Sequence, residues 1–215
     1  MKGPATTAAA RHTEPSEGYV RFHTRWIPGC APRHPSLAGL DTLRTELWDR
    51  GWVGATPEGI GFGNLSVRDR PGAGTFVITG TATGAQRILG PDGYVRVTDV
   101  DAAGNTVGCT GPVRASAETM SHAALYQAAP RIDCVVHVHA PEFWARALTL
   151  GWPATPAAAE YGTPDLAGAI GRLARHIGAD AGLIVLAGHT DGLLAYGPGV
   201  AEARAALLDA HRRTL

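Results

Sequence analysis

Residues 132–139 read IDCVVHVH, an apolar run that ends in two histidines one residue apart. A short run of this kind, rich in valine, predicts a buried β-strand. Because side chains alternate between the two faces of a strand, His137 and His139 project to the same side, about 6.6 Å apart along the strand axis. Two imidazoles at that spacing can bind one metal ion, but a core histidine beside a solvent-exposed one gives the same pattern. The run therefore predicts a sheet strand with a candidate metal site at its end.

Two other segments supply candidate ligands for such an ion. His189 follows the apolar run LIVLAG, again where a predicted strand ends. Glu118 lies in RASAETMSH, in the first turn of a predicted helix, where a carboxylate also serves simply as a partner of the helix dipole. His122 lies one helical turn later and is interpreted as an orienting or packing residue. Spacing alone leaves both the ligand and the structural interpretation open.

The remaining patterns predict helices and strands that do not alternate strictly. Leucines at helical spacing, followed by Gly51, predict a helix within residues 36–52. We expect Ser116 to cap a second helix that Pro130 terminates, and Pro141 to begin a third. Further predicted elements are a hairpin over 93–108, strands within 59–69, 75–80, 183–188 and 192–197, and helices from Pro164 and over 199–215. This order favours a mixed or antiparallel sheet covered by helices.

Charge and composition exclude several classes of protein. Nineteen basic and nineteen acidic residues cancel, which argues against a nucleic-acid surface or a polybasic membrane patch. Three widely spaced cysteines predict a reducing compartment, and no apolar run is long enough for a membrane-spanning helix. We therefore expect a cytoplasmic protein with a flexible leader over residues 1–18 and a single domain over residues 19–215.

Six motifs, taken in order, resemble one known family. They are GNLSVR (63–68), ITG (78–80), SAETMSHAALY (116–126), VVHVHAP (135–141), YGTPDLA (161–167) and GHTDGLLAYG (188–197). Together they resemble the class II (zinc-dependent) aldolase/adducin family, whose members include fuculose-phosphate aldolases. The resemblance implies a three-layer α/β/α domain with a central mixed, largely antiparallel sheet. It also implies a homotetramer with active sites at subunit interfaces, acting on a small-molecule substrate.

The resemblance implies a role for each motif residue. His137, His139 and His189 are the implied metal ligands, and Glu118 is the implied fourth ligand and catalytic acid/base. The implied pocket for a substrate phosphate consists of Gly63, Asn64, Thr79, Gly80 and Ser116. The ion is expected to be Zn²⁺, with Fe²⁺, Mn²⁺ and Co²⁺ as alternatives because the ligand type does not distinguish them.

The chain departs from the family pattern at three places. Ala117 stands where the family has a second serine, so the pocket has one hydroxyl fewer. Thr190 stands where glycine is frequent, so we expect a different turn, because a β-branched residue disfavours positive φ. The segment after HVHAP is short and lacks an evident match for the tyrosine that serves as proton donor in family aldolases. Tyr161 and Tyr196 are the nearest candidates for that donor, with Tyr161 preferred.

These features predict a metal-dependent lyase that performs reversible aldol cleavage of a small hydroxy-carbonyl, sugar-like substrate through a metal-stabilised enediolate. A dehydratase, an epimerase or an iron-dependent oxygenase using the same three-histidine centre is the alternative. A non-catalytic, adducin-like interaction protein is the lesser alternative, because the chain keeps all three histidines and Glu118.

Overall fold

A computed structural model describes residues 20–215, so the predicted leader over residues 1–18 lies outside the described part. Helices cover both faces of one large sheet. The α-helices are α1 (Leu37–Asp49), α2 (Thr119–Ala128), α3 (Pro141–Thr149), α4 (Pro164–Ile177) and α5 (Val200–Arg212). The strands are β1 (His23–Pro28), β2 (Gly54–Ala55), β3 (Gly61–Phe62), β4 (Asn64–Arg68), β5 (Phe76–Thr79), β6 (Tyr94–Asp101), β7 (Thr106–Gly111), β8 (Cys134–His139), β9 (Gly182–Val185) and β10 (Gly192–Gly197).

The main sheet has eight strands in the order β1-β7-β6-β5-β4-β8-β10-β9. Every neighbouring pair is antiparallel except β1 and β7, which are parallel. The prediction of a mixed, largely antiparallel sheet is therefore confirmed. Strands β2 and β3 form a separate two-stranded sheet.

The two faces of the sheet bury two separate apolar clusters. One lies between the sheet and the helices α2 and α4, and it includes Met120 and Ile170. The other lies between the sheet and the helices α1, α3 and α5, and it includes Leu43 and Leu207. The molecule therefore has the predicted three layers.

Strand β8 lies near the middle of the sheet, between β4 and β10. Its alternation follows the prediction, since Val136 and Val138 belong to the α1/α3/α5 cluster and Val135 to the α2/α4 cluster. His137 and His139 share the face of Val135 because the side-chain period of a strand is two. The two histidines therefore point toward the layer that contains α2.

The N-terminal edge of the sheet and the start of α2 differ from the predictions. Strand β1 was not predicted, because HTRWIP shows no clean alternation of apolar and polar residues. Ser116 is not the cap of α2: Glu118 precedes the helix, and its amide donates to Ser116 Oγ at 3.3 Å. The prediction failed because a turn closed by the Thr119 amide on the Ser116 carbonyl, at 3.1 Å, comes before the helix.

None of the helices within residues 20–215 combines the length and the apolar character that crossing a bilayer requires.

The chain after β5 packs so closely on β2 that one glycine leaves no room for a side chain. A Cβ atom at Gly84 would overlap the carbonyl oxygen of Gly54. We expect Gly84→Ala to lower the free energy of unfolding by about 2 kcal/mol, measured by urea denaturation, because overpacking against backbone forces a shift. Gly39→Ala is the control, since Gly39 lies in α1 with nothing within 4 Å of its added Cβ, and there alanine should stabilise by about 1 kcal/mol. Equal stabilities of the two variants would contradict the close packing.

Candidate active site

Three histidines converge on one point where strand β8 ends and strand β10 begins. His137 and His139 come from β8, and His189 comes from the turn between β9 and β10. One ligand nitrogen from each can be chosen so that the three lie within 4.8 Å of one another. The ring centroids are 4.8 to 5.1 Å apart in all three pairs. This is the cluster that the motifs predicted.

The turn that carries His189 is tightly hydrogen-bonded. The His189 amide donates to the Leu186 carbonyl at 3.1 Å, and the Gly192 amide donates to the His189 carbonyl at 3.0 Å. The left-handed residue of this turn is Asp191, with φ of 67°, and not Thr190. A β-branched residue at position 190 is therefore accommodated because its neighbour takes the positive φ.

The imidazole of His137 is oriented by the backbone. Its Nδ1 lies 3.1 Å from the Leu193 carbonyl oxygen, to which it donates, so Nε2 carries the free lone pair. That Nε2 lies 3.1 Å from Nε2 of His139. Burial, together with the neighbouring His139 and His189 rings, holds the pKa of His137 well below its usual range. Neutral imidazoles whose nitrogens converge fit a divalent metal ion.

Glu118 lies beside the histidines and is almost fully buried, with 2 % of its surface exposed. Its Oε1 lies 3.6 Å from Nδ1 of His189. Three imidazoles plus a carboxylate form a donor set that zinc accepts, so the residues present fit the implied ion. The helix start at α2 thus places a carboxylate where it can act on a substrate held next to the three histidines.

Glu118 also forms one wall of a pocket with a volume of about 250 Å³. Four of the five residues predicted for a substrate phosphate line this pocket, namely Gly63, Asn64, Gly80 and Ser116. Thr79 does not: its hydroxyl accepts a hydrogen bond from the Leu65 amide at 3.3 Å. That oxygen therefore contributes to the pairing of β4 with β5.

The loop that follows β5 supplies lining residues that the motifs did not reveal. Thr81, Ala82, Thr83 and Gly84 all line the pocket. Ala82 has φ of 57°, a conformation that alanine adopts only where the surroundings hold it. Two threonines between glycines in TGTATG were the available signal, but such a run equally predicts a plain loop.

The two candidate tyrosines lie in different environments. Tyr161 lines the pocket, and its ring packs edge-on against His189 with centroids 4.6 Å apart. Tyr196 belongs to the apolar cluster under α2 and α4 and is fully buried there. The structure therefore places Tyr161 beside the three-histidine cluster and Tyr196 in the core.

His122 takes part in a buried hydrogen-bond network beneath the site. Ser66 Oγ lies 2.7 Å from His122 Nδ1 and 2.7 Å from the Tyr126 hydroxyl. No residue within 20–215 hydrogen-bonds to His122 Nε2, and burial lowers the pKa of this histidine to about 3. The orienting or packing role expected from the sequence agrees with these contacts.

The buried His122 predicts a loss of stability in acid. Between the ordinary pKa of about 6.5 and the folded value, the unfolded chain binds a proton that the folded chain does not, so the free energy of unfolding falls as the pH is lowered. From pH 7 to pH 5 the metal-free protein should lose about 2 kcal/mol more than a His122→Gln variant, measured by urea denaturation at both pH values. Equal losses in the two proteins would show that His122 is not a neutral buried group.

Known proteins resemble this chain in sequence and in fold. A family model for the class II aldolase and adducin N-terminal domain matches residues 41–213. Methylthioribulose-1-phosphate dehydratase from Stenotrophomonas maltophilia is 36% identical over 102 residues, which cover 47% of this chain and 41% of the relative. The enzyme of the same name from Leptospira biflexa is 33% identical over 104 residues, covering 48% and 46%. The matches thus span less than half the length of these curated relatives.

Solved structures share the fold at lower sequence identity. YgbL from Escherichia coli, titled a putative aldolase/epimerase/decarboxylase, has a TM-score of 0.59 at 21% identity and covers 82% of this chain and 85% of its own. L-fuculose-1-phosphate aldolase from Thermus thermophilus has a TM-score of 0.56 at 21% identity, covering 82% and 90%. At these identities the likeness is one of architecture alone.

Proposed function

Since the chain belongs to the class II aldolase and adducin family, we propose that it is a metal-dependent lyase that removes water from a small phosphorylated hydroxy-ketone. The observation that carries this proposal is the position of Glu118. Its carboxylate lies 3.6 Å from His189 and also lines the pocket. A single acid/base therefore lies between the candidate metal ligands and the space for a substrate.

The metal ion, when bound, supplies a Lewis acid for the negative charge that develops on the substrate's carbonyl oxygen. We propose Zn²⁺ as this ion, held by His137, His139 and His189. Fe²⁺, Mn²⁺ and Co²⁺ are the alternatives, since imidazole also suits them.

Dehydration needs two proton transfers, and Glu118 can perform both. Its carboxylate takes the proton from the carbon next to the carbonyl, giving an enediolate. The same proton then goes to the hydroxyl on the next carbon, which leaves as water. The enol product becomes a ketone when its hydroxyl loses a proton to water and the carbon that carried the leaving hydroxyl gains a proton from water. Glu118 can serve as this acid/base because it lines the pocket.

Two observations favour dehydration over the aldol cleavage expected from the sequence. The curated relatives reported above are dehydratases. The chain also lacks an evident match for the tyrosine that serves as proton donor in family aldolases, so cleavage would need another acid in its place. Tyr161 is the candidate for such an acid because it lines the pocket and contacts the His189 ring, so aldol cleavage is the second candidate function.

Other properties stay predictions. We propose that the protein works in the cytoplasm as a homotetramer with active sites at subunit interfaces, and that residues 19–215 form one domain. Gly63, Asn64, Gly80 and Ser116 are proposed to bind the substrate phosphate, with Thr79 supporting the sheet pairing at that wall.

Product analysis tests the reaction type directly. Zinc-loaded protein should convert methylthioribulose 1-phosphate to a product lighter by one water, detected by mass spectrometry. Tyr161→Phe should leave that dehydration rate within about threefold, because Glu118 carries both proton transfers. Fragments with the mass of two aldol products, lost in Tyr161→Phe, would instead establish cleavage with Tyr161 as the acid. Absence of turnover with this compound and with fuculose 1-phosphate would contradict the proposed substrate class.

A further inference from the structure

A buried arginine lies directly behind the pocket loop. Arg44 is on α1 and has 1 % of its surface exposed. Its Nη2 donates to the Thr83 carbonyl at 3.0 Å, and its Nη1 donates to the carbonyls of Gln86 and Arg87 at 2.7 and 3.2 Å. One guanidinium thus holds three backbone oxygens of residues 83–87.

Neighbouring groups hold the same loop from other sides. Trp48, one turn further along α1, donates from Nε1 to the Gly84 carbonyl at 3.2 Å. The Thr83 hydroxyl donates to the Gly80 carbonyl at 2.8 Å. Gly84 also packs on the backbone of Gly54, where it has no room for a Cβ. The loop is therefore held by contacts with α1, with β2 and within itself.

This arrangement determines where a backbone donor points. The described chain has no cis peptide bond, so the carbonyl and the N–H of each peptide point in opposite directions. With the Thr83 carbonyl directed at Arg44, the Gly84 N–H is directed away from Arg44. Since Thr83 and Gly84 both line the pocket, this N–H is a candidate donor to an anion there.

Arg44 also places a positive charge directly behind the pocket loop. No lysine or arginine is among the described residues that line the pocket, whereas Glu118 is. Burial lowers the pKa of Arg44, and nearby Tyr94 and Asp41 oppose that change. The guanidinium stays protonated because the ordinary pKa of arginine is above about 12.

We propose that Arg44 is a positioning residue that orients the loop 81–87 to bind the anionic group of the substrate. The guanidinium acts through the Thr83–Gly84 peptide and does not touch the substrate. The inference rests on the proposed function for its substrate class, a phosphorylated hydroxy-ketone. Nothing in the motifs singled out this residue.

Inorganic phosphate is the probe, measured by calorimetry on the zinc-loaded protein. Arg44→Met should raise the Kd for phosphate about tenfold or more, since charge-assisted hydrogen bonds to three carbonyls are lost. Arg44→Lys should give an intermediate value, because an ammonium keeps the charge but lacks the planar fork. Arg204→Met is the matched control: this arginine also contacts α1, through Glu46, but on the surface. Its phosphate affinity should equal that of the wild type.

Kinetics separate positioning from a general structural effect. With methylthioribulose 1-phosphate, Arg44→Met should raise KM about as much as the phosphate Kd, while kcat stays within about threefold and the zinc content is unchanged. A merely structural loss would lower kcat and zinc content together. Trp48→Phe keeps the aromatic packing, removes one donor to the loop, and should weaken phosphate binding by about threefold.

Each outcome of these measurements either supports or overturns the role of Arg44. Wild-type phosphate affinity in folded Arg44→Met overturns the inference, as does wild-type affinity in both Arg44→Lys and Trp48→Phe if the methionine variant does not fold. A wild type that turns over substrate but binds no phosphate overturns the inference and leaves the proposed function standing. A wild type that binds phosphate more tightly than Arg44→Met, yet turns over no hydroxy-ketone, supports Arg44 and removes the proposed function.

Discussion

Replacing Glu118 with glutamine is expected to lower kcat by about 10³-fold without unfolding the protein. Glutamine has the size of glutamate but cannot take a proton from carbon or return it to a leaving hydroxyl, and a positioned acid/base of this kind contributes about 10² to 10⁴ in rate. Stability should change little or rise, because the variant removes a charge from a site that is 2 % exposed. Steady-state kinetics and urea denaturation on the same preparation measure both effects.

The control for this variant is Glu142→Gln, an exposed glutamate in the first turn of α3. It should retain full activity. A Glu118→Gln enzyme with kcat within threefold of the wild type would show that another group moves the proton, and Tyr161 would then be the next residue to replace. Zinc content should be measured beside the rate, because a loss of activity that follows a loss of metal would assign Glu118 to metal binding.

The second large effect is expected for the metal itself. Protein purified without a metal-affinity tag should carry one equivalent of divalent metal, and His139→Ala should lose it, with an affinity lower by at least about 10²-fold. His139 is the informative ligand because it is only partly buried, whereas His137 is fully buried and donates to the Leu193 carbonyl. Elemental analysis of the wild type and of His139→Ala measures the metal content of each.

The matched control is His176→Ala, an exposed histidine in the last turn of α4. It should keep the metal. One equivalent of iron in place of zinc would favour the oxygenase alternative. A folded protein that carries no metal and refuses added zinc would contradict the catalytic proposal and favour the interaction-protein alternative.

Most of the periodic and local signals in the sequence agree with the structure; the helix cap expected at Ser116 is the exception. The run CVVHVH predicted β8 because a short apolar run rich in valine is typical of a buried strand. In the structure β8 lies between β4 and β10 and is buried. The leucine stripe predicted α1, and the hairpin predicted over 93–108 corresponds to β6 and β7. These signals depend on residues that are close in sequence.

Features that depend on distant pairing could not be predicted. Strand β1 joins β7 across more than 80 residues, with His23 opposite Thr106, and its residues show no alternation of their own. Arg44 follows Leu43 and would be read as a solvent-facing residue of α1, but the loop after β5 folds over it and buries it. Thr79 and the threonines beyond it are equally plausible pocket residues in the sequence. The structure separates them: Thr79 ends β5 and accepts a hydrogen bond from β4, whereas Thr81 and Thr83 lie in the loop that lines the pocket.

The candidate metal ligands and the pocket loop belong to parts of the fold with different constraints. Two of the three histidines are on a strand hydrogen-bonded on both sides, while the side-chain hydrogen bonds that hold the loop 81–87 from outside come from one helix, α1. On the proposed roles, the loop and Arg44 can therefore change, and with them the anion that is bound, while the three histidines and the sheet that holds them stay the same. Sequence differences between proteins of this architecture would then be concentrated in the loop after β5 and in α1, and would be rare at the three histidines.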